Sequence, residues 1–185
     1  MAVYSKSELS AANGVVAILE QDASDAAGLI TLLEGFKNQS TSRLKGDSWN
    51  IVRESLDGYI VALTARKNNA TALASAIKSV NNEMIASLGD YPSIDTADYD
   101  ATSTLFNKCN EILNGDNSNI SAEDKEKYNS DIMRVAEKML NQIKMVKTAE
   151  SSGLGKLNTL LDGNQDFNNK TDSITSSSIL YTTQI

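Results

Sequence analysis

Histidine is absent from this chain, which removes the commonest metal ligand and the usual general base near neutral pH, and with them most nucleophilic triads and zinc hydrolases. Cys109 is the single cysteine, so an internal disulfide cannot form and a cysteine-rich zinc site is excluded. Proline occurs once and aromatic residues make up 5% of the chain, so any core is built from Leu, Ile, Val, Ala and Met, a palette suited to thin helical bundles. Basic residues are outnumbered 24 to 17, giving a net charge of −7. No basic face is therefore available to release counterions from a nucleic acid, and anionic membranes are disfavoured for the same reason. No window of 18 residues is continuously apolar, and Met1 to Glu8 has one lysine and no apolar stretch; export, if it occurs, does not use a Sec-type signal. These absences leave no catalytic, cofactor or metal site to assign, and no small-molecule substrate.

What is present is apolar periodicity. Leu9, Ala12, Val16, Leu19, Ala23, Ala26, Ile30 and Leu33 alternate three- and four-residue steps, the signature of a heptad seam. Ser5 and Glu8 form a capping box at its start, and the polar run Asn38 to Ser42 ends it. One helix is expected from about Ser5 to Gln39.

A second seam opens at Trp49, Val52, Leu56, Ile60 and Leu63 and resumes at Ala70, Leu73, Ile77, Val80, Met84 and Leu88. Arg66 holds the seam position between them, where it either fixes register against an acidic group or reaches out to water. Asp47 or Ser48 caps the start, and Gly89, ahead of Asp90-Tyr91-Pro92, is placed as a left-handed terminator. At 1.5 Å per residue such a helix spans roughly 60 Å. Ala62, Ala65, Ala70, Ala72, Ala74 and Ala76 permit close approach of a neighbouring helix.

A short third helix is expected over Ala97–Asn114 through Tyr99, Leu105, Phe106, Cys109 and Leu113, with Cys109 as a small core residue; Asp95, Asp98 and Asp100 lack the glycine and distal Glu of a calcium loop and are read as caps ahead of a cation site. After a polar loop, Ser121 and Asp124 cap a fourth helix whose seam is Tyr128, Ile132, Val135, Met139, Ile143 and Val146, reaching about Glu150. Ser151-Ser152-Gly153 is read as a break or kink, Leu154 to Leu161 as a short apolar cluster, and Gly163 as its end. The expected architecture is all-α: an elongated antiparallel bundle or hairpin with two long helices, a shorter third, a long fourth and a frayed C-terminal segment. Residues 1–163 form the helical domain, and 164–185, rich in Asn, Ser and Thr, a polar tail or linker.

Two seams this long need an equally long counterpart: either the four helices cover one another, or part of the second helix, with Val52, Leu56, Ile77, Val80 and Met84, or part of the fourth is left to face a partner. The connection between the long helices reads Leu44-Lys45-Gly46-Asp47-Ser48-Trp49. There Gly46 suits positive φ, Leu44 plugs the bundle end and Trp49 packs across the junction.

A long N-terminal helix, a Leu-x-Gly connection and a long second helix together resemble the LXG domain, the N-terminal part of polymorphic toxins exported by the type VII pathway of Gram-positive bacteria. The chain is more distantly similar to the small WXG hairpins, whose turn carries Trp-x-Gly where this chain has Trp49-Asn50-Ile51. The LXG resemblance implies a non-enzymatic targeting role. It implies binding to small helical WXG-like or LXG-associated chaperone proteins and to the type VII machinery, with residence in the cytoplasm before signal-peptide-independent secretion, and any toxin activity beyond Ile185. Tyr4 to Glu8 and Tyr91 to Asp95 match the aromatic-x-x-x-acid spacing of type VII export signals, a spacing of which about one instance arises by chance in such a composition. A self-associating coiled-coil scaffold, cytoplasmic or phage, homo-oligomeric and without export, is the alternative reading.

Overall fold

The computed structural model describes residues 2–40, 45–115 and 119–182. The fold is all-α apart from one small sheet. In chain order it comprises β1 (Val3–Ser5), α1 (Lys6–Ala11), α2 (Asn13–Ser40), α3 (Asp47–Ser87), β2 (Ser93–Asp95), a 3-10 turn (Thr96–Asp98), α4 (Tyr99–Asn114), α5 (Ala122–Lys127) and α6 (Ser130–Thr182). The chain divides into two compact units, each built from segments distant in sequence: Met1–Ala12 with Val80–Leu154, and Asn13–Ser79 with Gly155–Ile185.

The first unit has a conventional core. Leu88, Ile94, Ile143, Val146 and Cys109 are fully buried, with Met84 beside them and Tyr4, Leu9, Val80, Tyr91, Tyr99, Met139 and Ala149 packed around the cluster. The chain start is pinned to this core. β1 and β2 pair antiparallel, with Val3 opposite Asp95, Tyr4 opposite Ile94 and Ser5 opposite Ser93. Lys6 N donates to Pro92 O at 2.9 Å, Thr96 N to Ala2 O at 3.2 Å, and Lys6 Nζ to Gly89 O at 2.5 Å.

Several local signals take the form expected of them. Glu8 N donates to Ser5 Oγ at 3.2 Å and Ser5 Oγ donates to the Glu8 carboxylate at 2.7 Å, while Ser121 and Asp124 make the same reciprocal pair, both bonds at 3.0 Å. Asp95 Oδ1 accepts from Ala97 N at 2.9 Å. Gly89 ends α3 at φ +55° and Gly46 precedes it at φ +111°, and both are backbone conformations that cost a residue with a Cβ. Gly46 O accepts from Trp49 N and Asn50 N at 3.1 and 3.2 Å, which closes the first turn of α3.

Other elements differ from the expectations above. Val3–Ser5 is strand and the first helix is divided at Ala12, whose N–H bonds back to Glu8 O at 3.0 Å. The helix expected to open at Ser121 stops at Tyr128 and restarts: Asn129 Oδ1 accepts from Asp131 N and Ile132 N, both at 3.0 Å, as a fresh N-cap. No break occurs at Ser151-Ser152-Gly153, where α6 continues as helix. The reason is packing. A Cβ on Gly153 would lie 2.6 Å from Val80 Cγ1, so this glycine admits close approach of α3 rather than terminating α6. The expected seam of α6 lines the core at Met139, Ile143 and Val146 but departs from it nearer the start of the helix, where Ile132 and Val135 are exposed at 38% and 60% and Ala136 and Leu140 are buried instead. In α4, Ile112 joins Cys109 in the core, and Leu105 and Leu113 lie outside it.

Candidate partner-docking face

The second unit is built differently. On α2 the expected seam is the covered one, with Val16 and Ala26 buried and Leu19, Ala23, Ile30 and Leu33 half-buried. On α3 its counterparts are Ala70 and Ala74, buried, with Leu56, Ile60, Leu63, Leu73 and Ile77 half-buried. Among the described residues of this unit the buried apolar side chains are therefore one valine and three alanines. Small residues at the contact let helices approach closely but leave little volume to remove larger side chains from water.

The larger side chains lie outside. Val15, Ile18, Leu29, Leu32 and Phe36 on α2 are all at least half exposed, Leu32 reaching 70%. Their spacing is not scattered. Together with Asp22 and Asp25 they occupy positions 15, 18, 22, 25, 29, 32 and 36, a second row of three- and four-residue steps one residue out of phase with the covered seam. On α3, Val52 and Tyr59 are exposed and fall with Arg66 in a row of seven-residue steps, which is one face of a helix. Arg66 ties the two rows together, its Nη2 donating to Asp22 Oδ1 at 2.5 Å and its Nε to Asp22 Oδ2 at 3.1 Å. The hydrogen bonds and charge of Arg66 hold the Asp22 carboxyl below its usual pKa, and Asp22 correspondingly raises that of Arg66. Arg66 thus sits off the covered seam, in an exposed pair with Asp22.

The end of the pair nearest the connection is closed by Phe36 and Trp49, whose rings meet edge to face with centroids 6.0 Å apart. Lys37 bonds Asp57 across the same pair of helices. Among the described residues, Trp49 Nε1 and Arg53 Nε are buried donors with no hydrogen-bond partner, an arrangement that costs stability wherever it occurs.

The residues singled out from the sequence divide between the units. Leu44 lies outside the described residues. Gly46 has the positive φ that its position requires, Trp49 and Leu56 are half-buried, Val52 is exposed and Ile77 half-buried, all in the second unit. Val80 and Met84 belong instead to the first unit, where Met84 is buried and Val80 packs against the core; these two serve the fold. Both aromatic-x-x-x-acid stretches are also in the first unit, brought together by the β1–β2 pairing. Tyr4 and Tyr91 pack on the core, Glu8 caps α1 and Asp95 caps the 3-10 turn. Burial, followed by the hydrogen bond and charge of Glu150, pushes the Tyr4 phenol up to about 12, so it stays protonated as a donor.

Periodicity read as one apolar stripe per helix misses Val15, Ile18, Leu29, Leu32, Phe36 and Tyr59. The signal for them is the out-of-phase second row. Among the described residues no group of acidic or cysteine side chains is placed to hold a metal ion, and no helix is long and apolar enough to cross a membrane. No family model, curated protein or solved structure matches the chain.

Proposed function

We propose that this chain is a targeting and docking module of the LXG kind, which receives one or more small helical proteins and travels with them through a bacterial type VII secretion route. The observation that supports the reading is the second unit, whose described residues bury one valine and three alanines while α2 carries a row of large apolar side chains in water on either side of Asp22 and Asp25. An apolar ridge rimmed by polar residues marks a protein-binding surface, and a helix laid along it is the matching mode of recognition. Gly46 lies between two long helices and has positive φ, which supports the family resemblance. Docking of this type needs no catalytic group.

Co-expression with the small helical proteins encoded beside its gene tests the proposal. A stable heteromeric complex on size exclusion with light scattering is the expected result. Elution as a bare monomer with nothing retained in pull-downs contradicts it, and a homo-oligomer indifferent to those proteins indicates a self-associating scaffold.

A further inference from the structure

The exposed row of α2 is apolar at both ends and acidic in the middle. Val15 and Ile18 precede Asp22 and Asp25; Leu29, Leu32 and Phe36 follow. Asp22 is neutralised by Arg66. Asp25 takes its hydrogen bond from the uncharged Gln21 amide, Nε2 to Oδ1 at 2.7 Å, and among the described residues no ion pair engages it. Over its whole length α2 has four carboxylates, Glu20, Asp22, Asp25 and Glu34, against Lys37, a balance of −3.

We infer that the occupant of this face is an amphipathic helix from another protein, with an apolar heptad row interrupted at its middle by lysine or arginine that meets Asp25. The inference rests on the docking function proposed above and specifies its surface and its partner. A second copy of this chain fits poorly in register: brought up parallel, or antiparallel about Asp25, it sets the unneutralised Asp25 against its own copy. Opposed like charges in an interface are selected against. A partner with the opposite central charge satisfies the same row, and a lone charged position within an apolar seam is a known way to fix register. Gly14, Gly28 and Gly35 flank the row, and nothing lies within 4 Å of where their Cβ atoms would be, so the backbone of an incoming helix meets no obstacle there.

Two synthetic helices of about four heptads, alike except for a central Lys pair or a central Glu pair, provide the probes. Fluorescence anisotropy with the full chain should show the Lys peptide binding at least about tenfold tighter. Asp25→Lys should reverse the order, and Leu32→Asp or Ile18→Asp should abolish binding of both while leaving the circular dichroism unchanged. Equal affinity of the two peptides, an order unchanged by Asp25→Lys, or a homodimer of the free chain that Leu32→Asp dissolves would overturn the inference. A complex with the neighbouring helical proteins that survives Leu32→Asp, Ile18→Asp and Asp25→Lys also overturns it, and leaves the docking function standing. Conversely, charge-dependent peptide binding without any such complex supports this face and defeats the export-partner reading.

Discussion

Gly153 and Gly28 are both mid-helix glycines, and replacing each with alanine should have opposite effects. In an exposed helix interior Gly→Ala gains about 0.8–1.0 kcal/mol through backbone entropy and propensity. Gly28 has nothing within 4 Å of its prospective Cβ, so Gly28→Ala should realise that gain. At Gly153 the new methyl would lie 2.6 Å from Val80 Cγ1 and 3.5 Å from Cγ2. Valine is stiff at χ1 and cannot swing both methyls clear, so α3 and α6 must separate locally. Overpacking of this kind costs about 1–3 kcal/mol, which exceeds the propensity gain and leaves Gly153→Ala destabilised by about 1 kcal/mol. Urea unfolding followed by far-UV circular dichroism reads both variants, and Trp49 fluorescence follows the unit that holds Gly28. Adding Val80→Ala to Gly153→Ala should recover part of the loss, because each substitution vacates or fills the same space. Equal stabilisation by the two Gly→Ala variants would refute the close approach.

Leu88→Ala and Ile143→Ala, each at 0% exposure, should cost about 2–5 kcal/mol, whereas Leu32→Ala on the exposed row should stay within about 0.5 kcal/mol; denaturant midpoints decide. The raised Tyr4 pKa means that its folded-state contribution is complete below pH 10 and is lost as pH climbs toward about 12, so the stability difference between wild type and Tyr4→Phe should shrink across that window in thermal melts. Asp22, held below the ordinary carboxylate range by Arg66, should titrate at higher pH in Arg66→Ala when its carboxyl carbon is followed by NMR, and an unmoved titration would remove the ion pair from the account.

The long helices and their caps are legible in the sequence because each rests on local chemistry. Ser5 with Glu8, Ser121 with Asp124, Gly46 and Gly89 act within a few residues of themselves. The seam of α2 is legible for a related reason: Val16 and Ala26 recur at heptad spacing whatever covers them. What depends on distant partners is not. Val3–Ser5 is too short to show strand alternation, and it is strand because residues 93–95, some ninety positions away in sequence, pair with it. Gly153 reads as a helix breaker until Val80 is placed beside it. Ile132 and Val135 fit a seam as well as Ala136 and Leu140 do, and packing alone chooses between them. The candidate face is hidden by the assumption that the strongest stripe is the available one, when on α2 the strongest stripe is covered and the weaker one faces water.

Amide hydrogen exchange on the chain, free and in complex with its co-expressed helical partner, tests the docking face directly. Slowed exchange within Val15–Phe36 of α2 and Val52–Arg66 of α3, with the core segments of the first unit unchanged, is the expected pattern. Protection confined to α4, α5 or the first half of α6, or none on α2, would contradict the assignment of the exposed row as the surface that receives the partner.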